Sequence, residues 1–137
     1  MSVDDCKLVD LSKITDQRGN LTFVEKGLGL SFDIRRVYYL YDIPSGASRG
    51  GHGHKKLSQL MIATSGSFDV LLNDGHKQRT VQLNRPFQGL YICPMIWREL
   101  GNFSSGSVCL VLASDIYDES DYYRDYEQFR KAVEASA

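Results

Sequence analysis

Short runs rich in β-branched and aromatic residues set the limits on this fold. They cover residues 21–25, 34–41, 59–64, 68–72, 79–83, 89–92, 99–103 and 108–114. Clusters of Gly, Asn, Asp, Ser or Pro separate them at short spacing, the pattern of a β-sandwich or barrel. Ser65-Gly66 and Asn73-Asp74-Gly75 are the clearest tight turns. A further strand is expected over residues 6–11. The pattern changes once, after Asp118. There Tyr122, Tyr126, Phe129 and Val133 fall at i, i+4, i+7 and i+11, which predicts one apolar helical face. No linker, repeat or low-complexity segment interrupts the chain, so one domain is expected over residues 1–137.

Chemistry concentrates between two of these runs. Gly46, Arg49, Gly50, Gly51, His52, Gly53 and His54 are followed by Gln59 and, with six residues between, by Gly66. Two of the chain's three histidines lie in this stretch. In a strand, residues i and i+2 point to the same face, so His52 and His54 are expected to project together. Two imidazoles on one face make half a metal site or a pair of proton carriers.

Composition narrows the partners. With 137 residues, 42% of them hydrophobic and 24% charged, the chain can bury a real core. Sixteen basic against seventeen acidic side chains argue against a dedicated nucleic-acid or membrane surface. No long apolar run is present, and Asp4, Asp5, Lys7 and Asp10 charge the first ten residues, so neither a membrane span nor a signal peptide is expected. Cys6, Cys93 and Cys109 are odd in number and scattered, which suits reduced thiols and a cytoplasmic location. Cys93 is read as packing.

The order glycine, five residues, His-x-His, four residues, an acceptor, six residues, glycine resembles the first signature of the cupin superfamily, small double-stranded β-helix barrels. In metal-binding cupins the acceptor is a glutamate that ligates metal together with both histidines. Here it is Gln59, a poor ligand for a divalent cation. The second cupin signature supplies another histidine, and the matching stretch from Gly89 to Glu99 has none. His76 sits in a turn, away from any buried sphere. The site is therefore expected to hold no metal.

More of the chain resembles one branch of that superfamily, the nucleotide-sugar 3,4-ketoisomerases. The matching blocks begin with Asp16-x-Arg18-Gly19-x-Leu21, Arg35-Arg36-Val37-Tyr38-Tyr39 and Arg49-Gly50-x-His52-x-His54-Lys55. They continue with Gly89-Leu90-Tyr91-Ile92-x-Pro94-x-Ile96-Trp97, Phe103-Ser104, Leu112 to Glu119, and Asp121-Tyr122-x-Arg124-x-Tyr126. The resemblance implies an all-β, cupin-type jelly-roll barrel with a short C-terminal helix. It implies conversion of dTDP-4-keto-6-deoxyglucose to a 3-keto-6-deoxyhexose, which an aminotransferase then aminates for a bacterial surface glycan. It also implies a homodimer, formed in relatives by exchange of β-strands. Some relatives carry an acyltransferase domain, and this chain is too short to include one.

The chemistry fits the residues on separate grounds. Moving a ketone from C-4 to C-3 needs a base for the C-3 proton, a shuttle between the two oxygens and a donor to C-4. No cofactor is required in principle. His52 is assigned as the base and His54 as the shuttle, with Tyr38 as proton donor or orienting hydroxyl. Arg18 and Arg49 would stabilise enediolate charge or grip the diphosphate. Lys56, Gln59, Trp97 and Arg98 complete the expected substrate-binding set. Trp97 has a core reading beside a stacking one, and Gln59 either lines the pocket or caps a loop. Arg18 also reads as a turn residue, and the tyrosines of the tail read as packing. Two other functions use the same features: a cupin epimerase on nucleotide sugars, and a sugar-nucleotide-binding cupin without catalysis.

Overall fold

A computed structural model describes residues 1–136. Its strands run in chain order as Lys7–Asp10 (β1), Ser12–Asp16 (β2), Gly19–Phe23 (β3), Glu25–Lys26 (β4) and Gly29–Leu30 (β5). Next come Arg36–Leu40 (β6), Arg49–His54 (β7), Gln59–Ser65 (β8), Phe68–Asn73 (β9) and Gln78–Leu83 (β10). Gln88–Ile92 (β11), Trp97–Gly101 (β12), Val108–Ala113 (β13) and Tyr122–Tyr123 (β14) follow, and the helix Tyr126–Ala135 (α1) comes last. One five-stranded sheet has the order β1-β11-β8-β13-β6, the other β10-β9-β12-β7-β14. This is the expected all-β barrel with a short C-terminal helix.

Alternation along the strands builds the core. Met61 and Ala63 from β8, Leu90 and Ile92 from β11, and Cys109 and Val111 from β13 meet Phe68, Val70, Leu72, Val81, Leu83 and Leu100 of the opposite sheet. β8 is buried on both faces, because Leu60 and Ile62 lie under Leu11, Leu30, Leu112 and the segment carrying Val24 and Phe32. That double burial explains its unbroken apolar run Leu60-Met61-Ile62-Ala63. The hairpin β2–β3 stands apart as its own two-stranded sheet, with Ile14 57% and Leu21 56% exposed. No helix among the described residues is long and apolar enough to cross a membrane.

The C-terminal helix is shorter than its periodicity predicts. It starts at Tyr126, where the Asp125 carboxylate caps it by accepting from the Gln128 backbone N–H at 3.1 Å. Tyr122 lies outside it, in β14, hydrogen-bonded along the edge of β7 in register with His54. An available sheet edge outcompetes one more helical turn. Cys6 and Cys93, 87 residues apart, also come together, with their Sγ atoms 3.9 Å apart, and all three cysteines are free thiols.

Candidate active site

The site is built on β7, whose two faces do different work. His52 and His54 share one face, their rings edge to face with centroids 5.0 Å apart. Gly51 and Gly53 alternate with them. A Cβ on Gly51 would lie 2.4 Å from Trp97 Cζ2, and one on Gly53 would lie 3.1 Å from Phe129 Cδ1. Glycine here lets Trp97 and the helix residue Phe129 press against the strand backbone. The Gly-Gly-His-Gly-His run thus pairs chemistry on one face with close packing on the other.

A cavity of about 230 Å³ opens on the histidine side, lined by Tyr38, Arg49, His52, Gln59, Arg98 and Arg124, with Leu40, Met61, Leu100 and Val111 among its apolar walls. Arg98 faces His52 directly across β12–β7. It is 1% exposed and makes no ion pair among the described residues. Its guanidinium donates instead to the Ile96 carbonyl, at 3.0 and 3.3 Å, and to Gln59 Oε1. Gln59 Nε2 donates in turn to the Tyr38 hydroxyl oxygen at 3.1 Å. Burial, the largest influence, raises the Tyr38 pKa, so the phenol keeps its proton. With its oxygen accepting from Gln59, the Tyr38 O–H is left free to donate into the cavity.

His54 lies one step deeper and is fully buried. Its Nδ1 is 3.1 Å from Asp121 Oδ2, and Asp121 Oδ1 accepts from the Lys56 backbone N–H at 2.9 Å. The Tyr122 ring covers it, with centroids 4.3 Å apart, and reaches His52 at 5.4 Å. Arg124 lies over that tyrosine ring at 3.9 Å and is ion-paired with Glu119. Burial, then the Arg98 charge, pushes His52 down to about 3 and His54 to about 2, so both rings are neutral at neutral pH. The Nε2 atoms of both histidines are buried without a hydrogen-bond partner.

The predicted site residues divide. His52, Tyr38, Arg49, Gln59 and Arg98 line one cavity, with His54 behind His52. Trp97 does not line it. Side chains alternate along β12, so with Arg98 facing in, Trp97 faces out against Tyr126 and Phe129. Lys56 lies beyond the end of β7, exposed and outside that cavity, with its backbone N–H donating to Asp121. Arg18 is 90% exposed, at the turn of the β2–β3 hairpin, and pairs with Asp16 at 2.6 Å. His76 sits exposed in the turn after β9. Sequence reasoning missed Asp121, Tyr122 and Arg124 as site residues. The Asp121-Tyr122-x-Arg124 block carried the signal, but its helical periodicity masked the role. Among the described residues no three His, Cys, Asp or Glu side chains converge as a metal site, and the Gln59 amide is engaged by Arg98 and Tyr38.

Residues 4–134 match the family described as "FdtA: WxcM-like, C-terminal". The TDP-4-oxo-6-deoxy-alpha-D-glucose-3,4-oxoisomerase of Aneurinibacillus thermoaerophilus is 43% identical over 127 residues, 93% of this chain and 91% of that protein. The chain belongs to the sugar-nucleotide 3,4-ketoisomerase family. Solved members of that family share the fold described above. The WlaRB TDP-quinovose 3,4-ketoisomerase of Campylobacter jejuni is 46% identical, covers 93% of this chain and 98% of its own, and superposes with a TM-score of 0.88. A mutant of the 3,4-ketoisomerase QdtA of Thermoanaerobacterium thermosaccharolyticum, solved in complex with TDP-4-keto-6-deoxyglucose, is 39% identical. It covers 95% of this chain and 94% of its own with a TM-score of 0.91.

Proposed function

We propose that this chain converts dTDP-4-keto-6-deoxyglucose to the 3-keto-6-deoxyhexose isomer through an enediol, using its own side chains as acids and bases and no metal. The observation that carries the reading is the pairing of His52 with Arg98 across one cavity. A neutral imidazole able to accept a proton faces a buried guanidinium that has no carboxylate partner. A charge left unpaired in a core is costly unless something anionic meets it. The enediolate formed at O-4 is such an anion.

The steps follow. His52 takes the proton from C-3, and the electrons of that bond move to O-4, whose new charge Arg98 stabilises. An imidazole held to about 3 is a weak base alone. It gains a proton here because the negative charge it creates lies next to the imidazolium it becomes. Tyr38 donates to O-4, His54 takes the proton from O-3, and the ketone forms at C-3 as the His52 imidazolium gives its proton to C-4. Two protons leave the sugar and two return, so no external oxidant enters the balance. Arg49 and Arg124, at the cavity wall, fit the diphosphate.

The test is proton exchange in deuterated water followed by NMR. Deuterium is expected at C-3 of recovered substrate and at C-4 of product. Exchange at C-5 would make the chain an epimerase, and no exchange would make it a binder.

The same reading includes a single catalytic domain, a cytoplasmic location consistent with three free thiols, and a homodimer that exchanges strands through the β2–β3 hairpin. The product would feed a transaminase that makes a 3-amino sugar.

A further inference from the structure

The site holds a carboxylate that the mechanism above does not use. Asp121 is the one acidic residue hydrogen-bonded to either imidazole among the described residues, and it comes from the segment before β14, 67 residues from His54. We propose that Asp121 is a positioning residue for the reaction, fixing His54 as the tautomer that carries its proton on Nδ1 and leaves Nε2 bare. The proposal rests on the ketoisomerase reading for its consequence and on hydrogen-bond geometry for its substance.

An ionised carboxylate only accepts, so an imidazole nitrogen bonded to it must donate. His54 Nδ1 therefore holds the ring proton, and Nε2 holds the lone pair. The other Asp121 oxygen accepts from the Lys56 backbone N–H at 2.9 Å, which stops the carboxylate rotating away. The Tyr122 ring, tilted by 57° with its centroid 4.3 Å away, packs against the imidazole, and Nε2 is buried without a partner. His52 Nε2 is also buried without a partner. A bare Nε2 on His54, on the same strand face as His52 and one step deeper, supplies the acceptor that the ketoisomerase reading needs for the O-3 proton. The Asp121 carboxylate also faces the charge His54 acquires once it accepts a proton, so it assists the same step a second time.

The experiment uses the full chain labelled with 15N-histidine. Long-range 1H–15N spectra distinguish the two imidazole tautomers without any turnover. Wild-type His54 should show Nδ1–H with a bare Nε2, and an Nε2–H tautomer would overturn the proposal. Asp121→Asn keeps an acceptor for Lys56 but can present an N–H to His54. Its His54 should change to the Nε2–H tautomer, and kcat should fall about 100-fold with KM within about twofold. Asp121→Glu, which restores an acceptor, should recover part of that loss. An unchanged tautomer in Asp121→Asn, or a loss confined to KM, would reduce Asp121 to a structural contact and overturn the proposal. Because the tautomer is read in resting protein, its result stands whether or not the C-3 exchange test succeeds.

Discussion

Burial, with the Arg98 charge second, holds His52 at about 3 and His54 at about 2 against an ordinary value of 6.5. The base is therefore present throughout the neutral range, and kcat/KM is expected to lack an acid limb near 6.5. A limb there would mean the rings are solvated like free imidazole. The same shift bears on stability. As pH falls below 6.5 the unfolded chain binds protons that the folded rings refuse, so stability is lost from there down towards about 3. His52→Asn should remove C-3 exchange, at a cost of about two orders of magnitude or more in rate. His54→Asn should lose turnover and keep slow C-3 exchange, and the pair replaced together should melt less steeply between about pH 6.5 and 4. Exchange NMR and thermal melts across that range check these outcomes. Arg98→Met should lower kcat by about two orders of magnitude, as loss of the group opposite the developing charge predicts. A near-normal kcat would remove Arg98 from the mechanism.

The element that organises the site is β7, and it depends on two glycines as much as on two histidines. A methyl group on Gly51 would have to displace the indole of Trp97, which is boxed in by Tyr126 and Phe129. Gly51→Ala should therefore destabilise the fold by about 1–3 kcal/mol, the ordinary cost of overpacking, measured by urea denaturation. A shift of only a few tenths would show that the indole can slide aside. The helix matters for the same reason. Its one fully buried residue, Phe129, sits on Gly53, so α1 clamps the outer face of the strand whose inner face carries the chemistry.

At the scale of the whole molecule, two apolar surfaces stand uncovered. β6 is an edge strand whose outward side chains Val37 and Tyr39 are 51% and 59% exposed, and Tyr41 just past its end is 61% exposed. The β2–β3 hairpin carries Ile14 and Leu21, also more than half exposed. An open, apolar edge invites strand pairing, and in the proposed dimer the hairpin of a second copy would supply the complementary strand. Light scattering at micromolar concentration should give twice the chain mass, and Leu21→Glu should shift it to one. Full activity in a wild-type monomer would refute the dimer.

Residues 46–66 and the short β runs made the barrel and its histidine pair legible in sequence, because period-2 alternation and local turn chemistry act over a few residues. Tyr38, Gln59 and Arg98 came from the family resemblance, and each lies on the inward parity of its own strand; Arg49 has the opposite parity to His52 and His54 and reaches the cavity across the register shift between β7 and β12. The same parity, applied to β12, would have turned Trp97 outward as soon as Arg98 was turned in. Local pattern could not place Tyr122, whose spacing to Tyr126 and Phe129 suits a helix, because a sheet edge on β7 offered its backbone better hydrogen bonds. Nor could it join Asp121 to His54 or Cys6 to Cys93, since those meetings depend on where distant strands cross. The chain's residue types and spacing determined the fold class and the acid/base chemistry. Tertiary packing alone decided which nitrogen carries the proton, because burial and a carboxylate 67 residues away set it.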